Sequence, residues 1–351
     1  MPSKLVSTKE RSALKKNGWK DIQYKAKMKK RRKLALLILA LLVGFLIVSW
    51  VIQLTQSLFS PWKLSPDQER SYVWDAQFNI NLLLRGSNIS VLSYHPKEER
   101  IVIINIPDET FLNVPYGFGL WQLRAVYELG ESQKDSGGNK LLVETLTNFL
   151  AIPIDGFLDF STLEPNKSAS EIVDILKENP FSGFNLLSGL KTDLTIWELL
   201  RLKVSAGSVR FDKIKELSLD KIKVLDRENL LDGTPIYTAD PVKLDSVLSD
   251  LADPVITSEH KSIAVLNATG QAQLAQKAAR LITNLGGNVI ITTNASQKLK
   301  KTQVVGLESA TLKRLKQIFG SDDKIGPTDE DSISSRAQIN LLLGEDYLSR
   351  N

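Results

Sequence analysis

The sequence predicts an α/β protein held to a membrane by a single N-terminal transmembrane helix, and three observations carry that reading. Leu34 to Leu54 is a run of 21 residues without a charge, and a helix of that length spans the roughly 30 Å hydrocarbon core of a bilayer. From Gln77 onward, β-rich runs alternate with segments whose apolar residues recur at helical spacing, the pattern of a mixed sheet with helices packed on it. Beyond Asp253-Pro254 the alternation restarts, as in a second, smaller α/β domain.

The chain has 351 residues and is 42% hydrophobic, enough to build two domain cores. It contains no cysteine, which excludes disulfides, thiolate metal sites and cysteine nucleophiles. His95 and His260 are the only histidines, too few nitrogen ligands for a zinc centre of the usual kind.

The net charge of +5 hides an asymmetry. Residues 1–33 hold 13 Lys/Arg against Glu10 and Asp21, a net of +11, whereas the rest of the chain, with 32 basic and 38 acidic residues, carries −6. The basic character belongs to the tail and not to the body. That disfavours nucleic acid as a partner, because a binding domain needs a basic face of its own.

KKRRK at Lys29–Lys33 abuts the apolar run, so the positive-inside rule predicts a cytoplasmic tail over residues 1–33, a membrane helix over 34–54 and an extracytoplasmic main body. Attraction to anionic lipid also accounts for the charge of the tail. A cleaved signal peptide would have a shorter apolar region and a small-residue cleavage pattern. Trp50 and Trp62 suit the outer interface.

After a polar stem over residues 55–71, the larger domain is expected over 72–253. Gln77–Leu84, Ser87–Tyr94 and Arg100–Ile106 read as strands separated by Arg85-Gly86 and His95-Pro96 turns. Leu120–Leu129 and Asn139–Leu150 read as helices, with Gly130 and Gly137-Gly138 as breaks, and Ile154–Phe160 as a strand. Thr195-Ile-Trp-Glu198 has capping-box spacing. Asp240-Pro241 sets a capping carboxylate before a proline at the first helical position.

The smaller domain, 254–351, reads as strand (Ser262–Leu266), helix (Gln271–Leu285), strand (Asn288–Thr292), strand (Thr302–Leu307), helix (Ala310–Phe319) and strand (Ala337–Leu343). Gly286-Gly287 and Gly320 fall where the helices should stop. This β-α-β-β-α-β order predicts a small split βαβ sheet with both helices on one face, interrupted by an acidic loop over Ser321–Ser335. The turn LNATGQ, Leu266–Gln271, has one glycine and matches neither the dinucleotide fingerprint nor a P-loop.

VIINIPDET, Val102–Thr110, ends in the adjacent carboxylates Asp108 and Glu109. Taken alone, they invite an acid/base role at the mouth of a site. Their meaning changes once several segments are set side by side: NINLLL, the Ile106-Pro107 turn, VETLTNFLAIPIDGFLDFS with Ile152-Pro153-Ile154-Asp155 and Asp159-Phe160, TDLTIWELL, and at the end IAVLNATGQAQLAQKAARLITNLGGNVI and INLLLGEDY. Together they resemble the LytR-CpsA-Psr (LCP) family, an LCP-like domain followed by a LytR C-terminal domain, over roughly residues 72 to 349.

The resemblance implies a membrane-bound cell-envelope protein. Catalytic members of that family transfer glycopolymer from a polyprenyl-pyrophosphate carrier to peptidoglycan, using carboxylate-held Mg²⁺ and arginines, the groups phosphoryl transfer needs to spread its developing charge. This chain departs from that pattern at most ligand positions, although Arg85 survives. The metal-binding aspartate after NINLLL falls on Ser87 or Asn88. Asp108 stands where the family has an arginine for the pyrophosphate, and Glu109 replaces an aspartate. The segment Ser161–Lys191, much shorter than in family enzymes, contains no arginine. Arg85, Arg100 and Arg124 remain as candidate ligand-binding cations.

The expectation is therefore a non-catalytic LCP-like protein that binds or scaffolds in envelope polymer assembly, with no cofactor and no metal, and with Ser87, Asn88, Asp108 and Glu109 as relic site positions. Its expected partners are the membrane and a polyprenyl-linked glycopolymer, peptidoglycan or other envelope proteins. One alternative is a Mg²⁺-dependent phosphotransferase with Glu109 on the metal and Arg85 and Arg124 on phosphate. A second is a membrane-bound regulator acting through the basic tail.

Overall fold

The computed structural model describes residues 8–59, 70, 72–133, 137–178, 190–229, 233, 235–321 and 336–348. Trp62, most of the predicted stem and nearly all of the Ser321–Ser335 loop lie outside them. The chain divides into two compact units, Met1–Phe59 and Ser60–Asn351.

The first unit is one helix, α1 (Thr8–Phe59), of 52 residues. Its Lys27–Leu54 portion is long and apolar enough to cross a membrane. The helix runs past both ends of the predicted span. Lys and Arg are good helix formers, so the basic segment extends it on the N-terminal side, and the first residues assigned to the stem, Thr55–Phe59, extend it on the other.

In the second unit, β1 (Ile80–Arg85), β2 (Ile89–His95) and β3 (Arg100–Asn105) form an antiparallel meander. β6 (Gly156–Asp159) joins parallel to β1, and β8 (Ile214–Ser218) joins parallel to β3. With the two-residue β7 (Lys191–Thr192) the sheet order is β7-β6-β1-β2-β3-β8. Both faces are covered, which is why the strands read as nearly continuous apolar runs. Leu83, Val91, Val102, Ile104 and Phe157 pack beneath α2 (Leu123–Ser132) and α3 (Gly138–Leu150). Leu82, Leu84, Leu92, Ile101 and Ile103 pack beneath α4 (Ala169–Glu178) and α5 (Ile196–Ser208).

Two hairpins complete the first face: β4 (Phe111–Val114) with β5 (Gly119–Gln122), and β9 (Leu225–Asn229) with β10 (Pro235–Ala239). The helix expected from Leu120 thus begins three residues later, because Gly119–Gln122 is taken up in pairing with β4. The capping box forms as spaced: Thr195 Oγ1 accepts from Glu198 N, and Glu198 Oε2 accepts from Thr195 N at 2.8 Å. Glu198 also holds the start of the unit, accepting from Arg70 Nη1 at 2.7 Å and from Trp74 N at 2.6 Å. Asp240 caps α6 (Pro241–Leu248) through Val242 N.

Asp253 caps the short α7 (Pro254–Glu259) through Val255 N and also accepts from Asn79 N at 2.7 Å, so the boundary residue ties the two sheets together. After it come β11 (Ser262–Asn267), α8 (Leu274–Asn284), β12 (Asn288–Asn294), β13 (Gln303–Gly306), α9 (Ala310–Phe319), β14 (Ile339–Leu343) and α10 (Glu345–Leu348). The expected element order and the placement of both helices on one face hold: Leu274, Ala278, Ile282, Leu312, Leu315 and Phe319 share a core with Ile263, Val265, Ile339 and Leu341. The split does not. Strand order is β12-β11-β14-β13, so β11 and β12 are direct parallel neighbours joined by α8 as in an ordinary βαβ unit, and β14 takes the other side of β11. Gly286 adopts φ +96° at the turn from α8 to β12, where a Cβ would collide with the Thr257 hydroxyl.

Arg314 on α9 is fully buried. Its Nη2 donates to both oxygens of Asp155 (2.9 and 3.1 Å) and to Asn79 O at 3.3 Å, and Nη1 donates to Tyr72 Oη at 2.8 Å. Asp155 in turn accepts from Asn81 N at 2.9 Å and from the Tyr72 hydroxyl. The carboxylate of the Ile-Pro-Ile-Asp motif is thus the anchor on which the C-terminal sheet is fixed.

Candidate functional site

β1, β3, β6 and β8 all end on one side of the large sheet, since Arg85 is in register with Asp159 and Asn105 with Ser218. Here the sheet gathers polar residues. Arg85 Nη1 donates to Asp159 Oδ2 at 2.9 Å and to Ser161 Oγ at 2.8 Å, and its guanidinium lies 3.4 Å from the centroid of the Tyr127 ring. Asn139 Nδ2 donates to the same Asp159 oxygen at 3.2 Å, while Ser161 donates to the other. Burial pushes the Asp159 carboxyl up, but these hydrogen bonds and the Arg85 charge outweigh it and hold the group below the usual carboxylate range.

Beside this pair, Asn88, Asn105, Pro107, Asp108, Glu109, Ser218 and Asp220 line a cavity of about 310 Å³. Asn88 and Ser90 are hydrogen-bonded to each other and to Asn105 Oδ1, and Asn105 Nδ2 donates to Glu216. Burial first, and then the Glu109 charge, raise the Asp108 carboxyl, with Arg124 opposing. Arg124 N donates to Asp108 O at 3.2 Å, but its exposed side chain turns to Gln122 Oε1 at 2.8 Å.

The structure therefore brings Asn88, Asp108 and Glu109 to one cavity, with Arg124 close enough to act on the Asp108 charge and Arg85 outside the lining, while Ser87 is exposed on the turn, its backbone N–H donating to Lys167 O at 3.0 Å and its hydroxyl reaching toward Asn88 at 3.4 Å. Arg100 is at the other end of β3, five residues and about 17 Å from Asn105 at the usual strand rise. It donates to Glu98 at 2.9 Å and to Asp250 O at 2.8 Å, and contacts the buried His95 at Nδ1. Arg100 and Arg85 do not share a site.

Divalent magnesium needs converging oxygens, carboxylates foremost. Positions 87 and 88 supply a hydroxyl and an amide. Among the described residues no three His, Cys, Asp or Glu side chains gather as a metal set. Asp108, Glu109 and Asp220 line the cavity without gathering as a metal set, so this end of the sheet does not reproduce the metal site of the resembled family.

Sequence reasoning missed the cradle of Arg85. Asp159 stood in a quoted motif but had no role there, and Tyr127, Asn139 and Ser161 gave no signal of their own. It also missed a larger groove of about 760 Å³ between the β4–β5 hairpin, the end of α3, β10 and α8. Phe111, Leu120, Phe149, Ile236 and Leu281 give it apolar walls, with Lys277 and Glu228 at its edge. Arg280, also on the lining, is held by Asp245 at 2.7 to 3.0 Å.

An apolar N-terminal helix, a mixed α/β domain and a small C-terminal α/β domain clamped to it through Asp155 and Asp245 define the class of the molecule. Residues 261–347 match the family model of the LytR cell envelope-related transcriptional attenuator, so the chain carries a LytR C-terminal domain.

Solved structures of similar fold include TagV of Bacillus subtilis, with 16% identity over 50% of this chain and 95% of that one, at a TM-score of 0.39. Another is a LytR-CPS2A-psr family protein, YwtF (TagT), with bound octaprenyl pyrophosphate lipid, at 15% identity, coverage of 56% and 95%, and a TM-score of 0.37. A transcriptional regulator of Enterococcus faecalis aligns at 13% identity, with coverage of 62% and 92% and a TM-score of 0.39. These are distant similarities. No curated protein sequence matches the chain.

Proposed function

We propose that this chain is a membrane-anchored extracytoplasmic protein of cell-envelope polymer assembly that binds or scaffolds and does not transfer phosphoryl groups. The C-terminal LytR domain supports the envelope setting. The charge at the end of the large sheet supports the absence of transfer. Asp108, Glu109 and Asp220 line the cavity there, Arg85 is committed to Asp159 and stacked on Tyr127, and the exposed Arg124 side chain turns to Gln122.

A pyrophosphate placed at this end would meet three carboxylates. To engage it, Arg85 would have to abandon Asp159, which is only 1% exposed, leaving that carboxylate without its cation at a cost on the order of 3 kcal/mol. The retained fold then offers surfaces for a wall polymer or an envelope protein and not a phosphoryl-transfer centre. Ser87, Asn88, Asp108 and Glu109 mark the position of such a centre without its charge pattern.

Co-sedimentation of the full chain, solubilised in detergent, with purified peptidoglycan sacculi tests the binding reading. Saturable retention is expected. No retention by sacculi that do or do not carry attached polymer, together with no envelope protein captured by cross-linking in intact membranes, would remove the binding and scaffolding role.

A further inference from the structure

The β4–β5 hairpin carries apolar side chains that face solvent. Leu120 is 69% exposed, Tyr116 42% and Trp121 40%. Its other side is fixed: Leu112 and Val114 are buried in the core, and Phe118 packs against it. Positive φ angles at Tyr116, Gly117 and Gly119 turn the tip, the Trp121 indole donates to Phe118 O at 2.9 Å, and the Tyr116 hydroxyl donates to Glu144 at 2.7 Å. The exposed rings therefore sit on a firm support.

From Thr110 to Leu123, fourteen residues in a row carry no charge. Tryptophan and tyrosine flanked by leucine and glycine, without charge, are suited to the bilayer interface, where an amphipathic ring sits at headgroup level. Val204 and Phe211, exposed on the opposite face of the sheet, differ in this respect: Lys203 adjoins Val204 in the chain, and Lys177 Nζ lies 3.9 Å from the Phe211 ring.

The chain itself supplies the bilayer. Ten residues, Ser60–Glu69, follow α1 before Arg70, which is held by Glu198 of the folded body, and at no more than about 3.5 Å each they reach about 35 Å. The body is thereby confined to the neighbourhood of the membrane, where a weakly apolar surface gains from the high effective concentration of lipid.

We propose that the β4–β5 hairpin is a membrane-docking element that places Tyr116, Leu120 and Trp121 in the interface of the bilayer crossed by α1. This rests on the membrane anchorage proposed above. The groove beside the hairpin then opens at the level of the lipid headgroups.

The chain has no cysteine, so Leu120→Cys, Trp121→Cys and the control Val204→Cys each give one site for a nitroxide label. The full chain is placed in nanodiscs of phosphatidylethanolamine and phosphatidylglycerol, and collision of each label with oxygen and with an aqueous nickel complex is read by power saturation. The expected result is a severalfold higher oxygen-to-nickel ratio at positions 120 and 121 than at 204. Equal ratios at the three positions, in chains that have inserted and melt like the unlabelled protein, overturn the docking proposal alone. Failure of the full chain to insert overturns the anchorage and the docking together.

Discussion

Replacing His95 by asparagine removes a titrating group from the interior and should leave stability falling as pH rises. His95 has no exposed surface. Its Nδ1 accepts from Asn79 Nδ2 at 2.9 Å, so Nε2 carries the proton and donates to Ser93 Oγ at 3.0 Å. Burial, and then the Arg100 charge, push its pKa down to about 4 from 6.5. The unfolded chain therefore binds more protons than the folded one between those values. Neutral His95 contributes stability fully above pH 6.5, and that contribution is lost as pH falls toward 4. From pH 7 to 4.5 the loss amounts to about 2 kcal/mol.

Asp193 works in the opposite sense. Burial pushes it up to about 6 from 3.8, against the attraction of Arg70 and the hydrogen bond from Phe157 N. Its folded form holds the proton more tightly, so stability falls as pH rises from 3.8 to 6, again by about 2 kcal/mol between pH 4.5 and 7. The two groups nearly cancel in the natural chain over that range. Denaturant melts of the full chain in detergent should show His95→Asn losing about 2 kcal/mol from pH 4.5 to 7 and Asp193→Asn gaining about 2 kcal/mol. If both variants follow the pH profile of the natural chain, the buried titration of these two groups is refuted.

Arg314→Met should destabilise the unit Ser60–Asn351 by about 3 to 5 kcal/mol, because the buried Asp155 carboxylate loses its cation, and the denaturation midpoint reports it. Glu198→Ala removes the capping box and leaves the mostly buried Arg70 with only the more distant Asp193 at 3.9 Å, so a loss of about 3 kcal/mol is expected in the same melts. Asp108→Arg places a cation beside Arg124 and should bring measurable affinity for inorganic pyrophosphate by calorimetry. Affinity unchanged from that of the natural chain would mean that charge at this position does not control anion binding.

Local signals in the sequence translated well. Gly320 ends α9 where expected, and the Thr195–Glu198 box caps α5, because caps involve residues a few positions apart. Short strands with charged residues did not register: Ile214–Ser218 (IKELS) and Leu225–Asn229 (LDREN) have too few apolar positions to show a period, and only pairing with distant partners makes them strands. Leu120 fitted a helical spacing until the hairpin claimed it. The separation of β11 from β12 was misjudged for the same reason, since element order does not fix neighbour order in a sheet. At the candidate site, the reversed charge at Asp108 was legible. The pairing of Arg85 with Asp159 was not, because it depends on the parallel register of β1 with β6 across 74 positions.

The most direct measurement is a transfer assay with the full chain in nanodiscs, a glycan linked to polyprenyl pyrophosphate, peptidoglycan as acceptor, and Mg²⁺ present or withheld. With Asp108, Glu109 and Asp220 at the sheet end and Arg85 bound to Asp159, no attached polymer and no released lipid phosphate should form above the level without protein. Mg²⁺-dependent attachment that disappears in Glu109→Gln would contradict the account and establish a rearranged phosphotransferase at the same position.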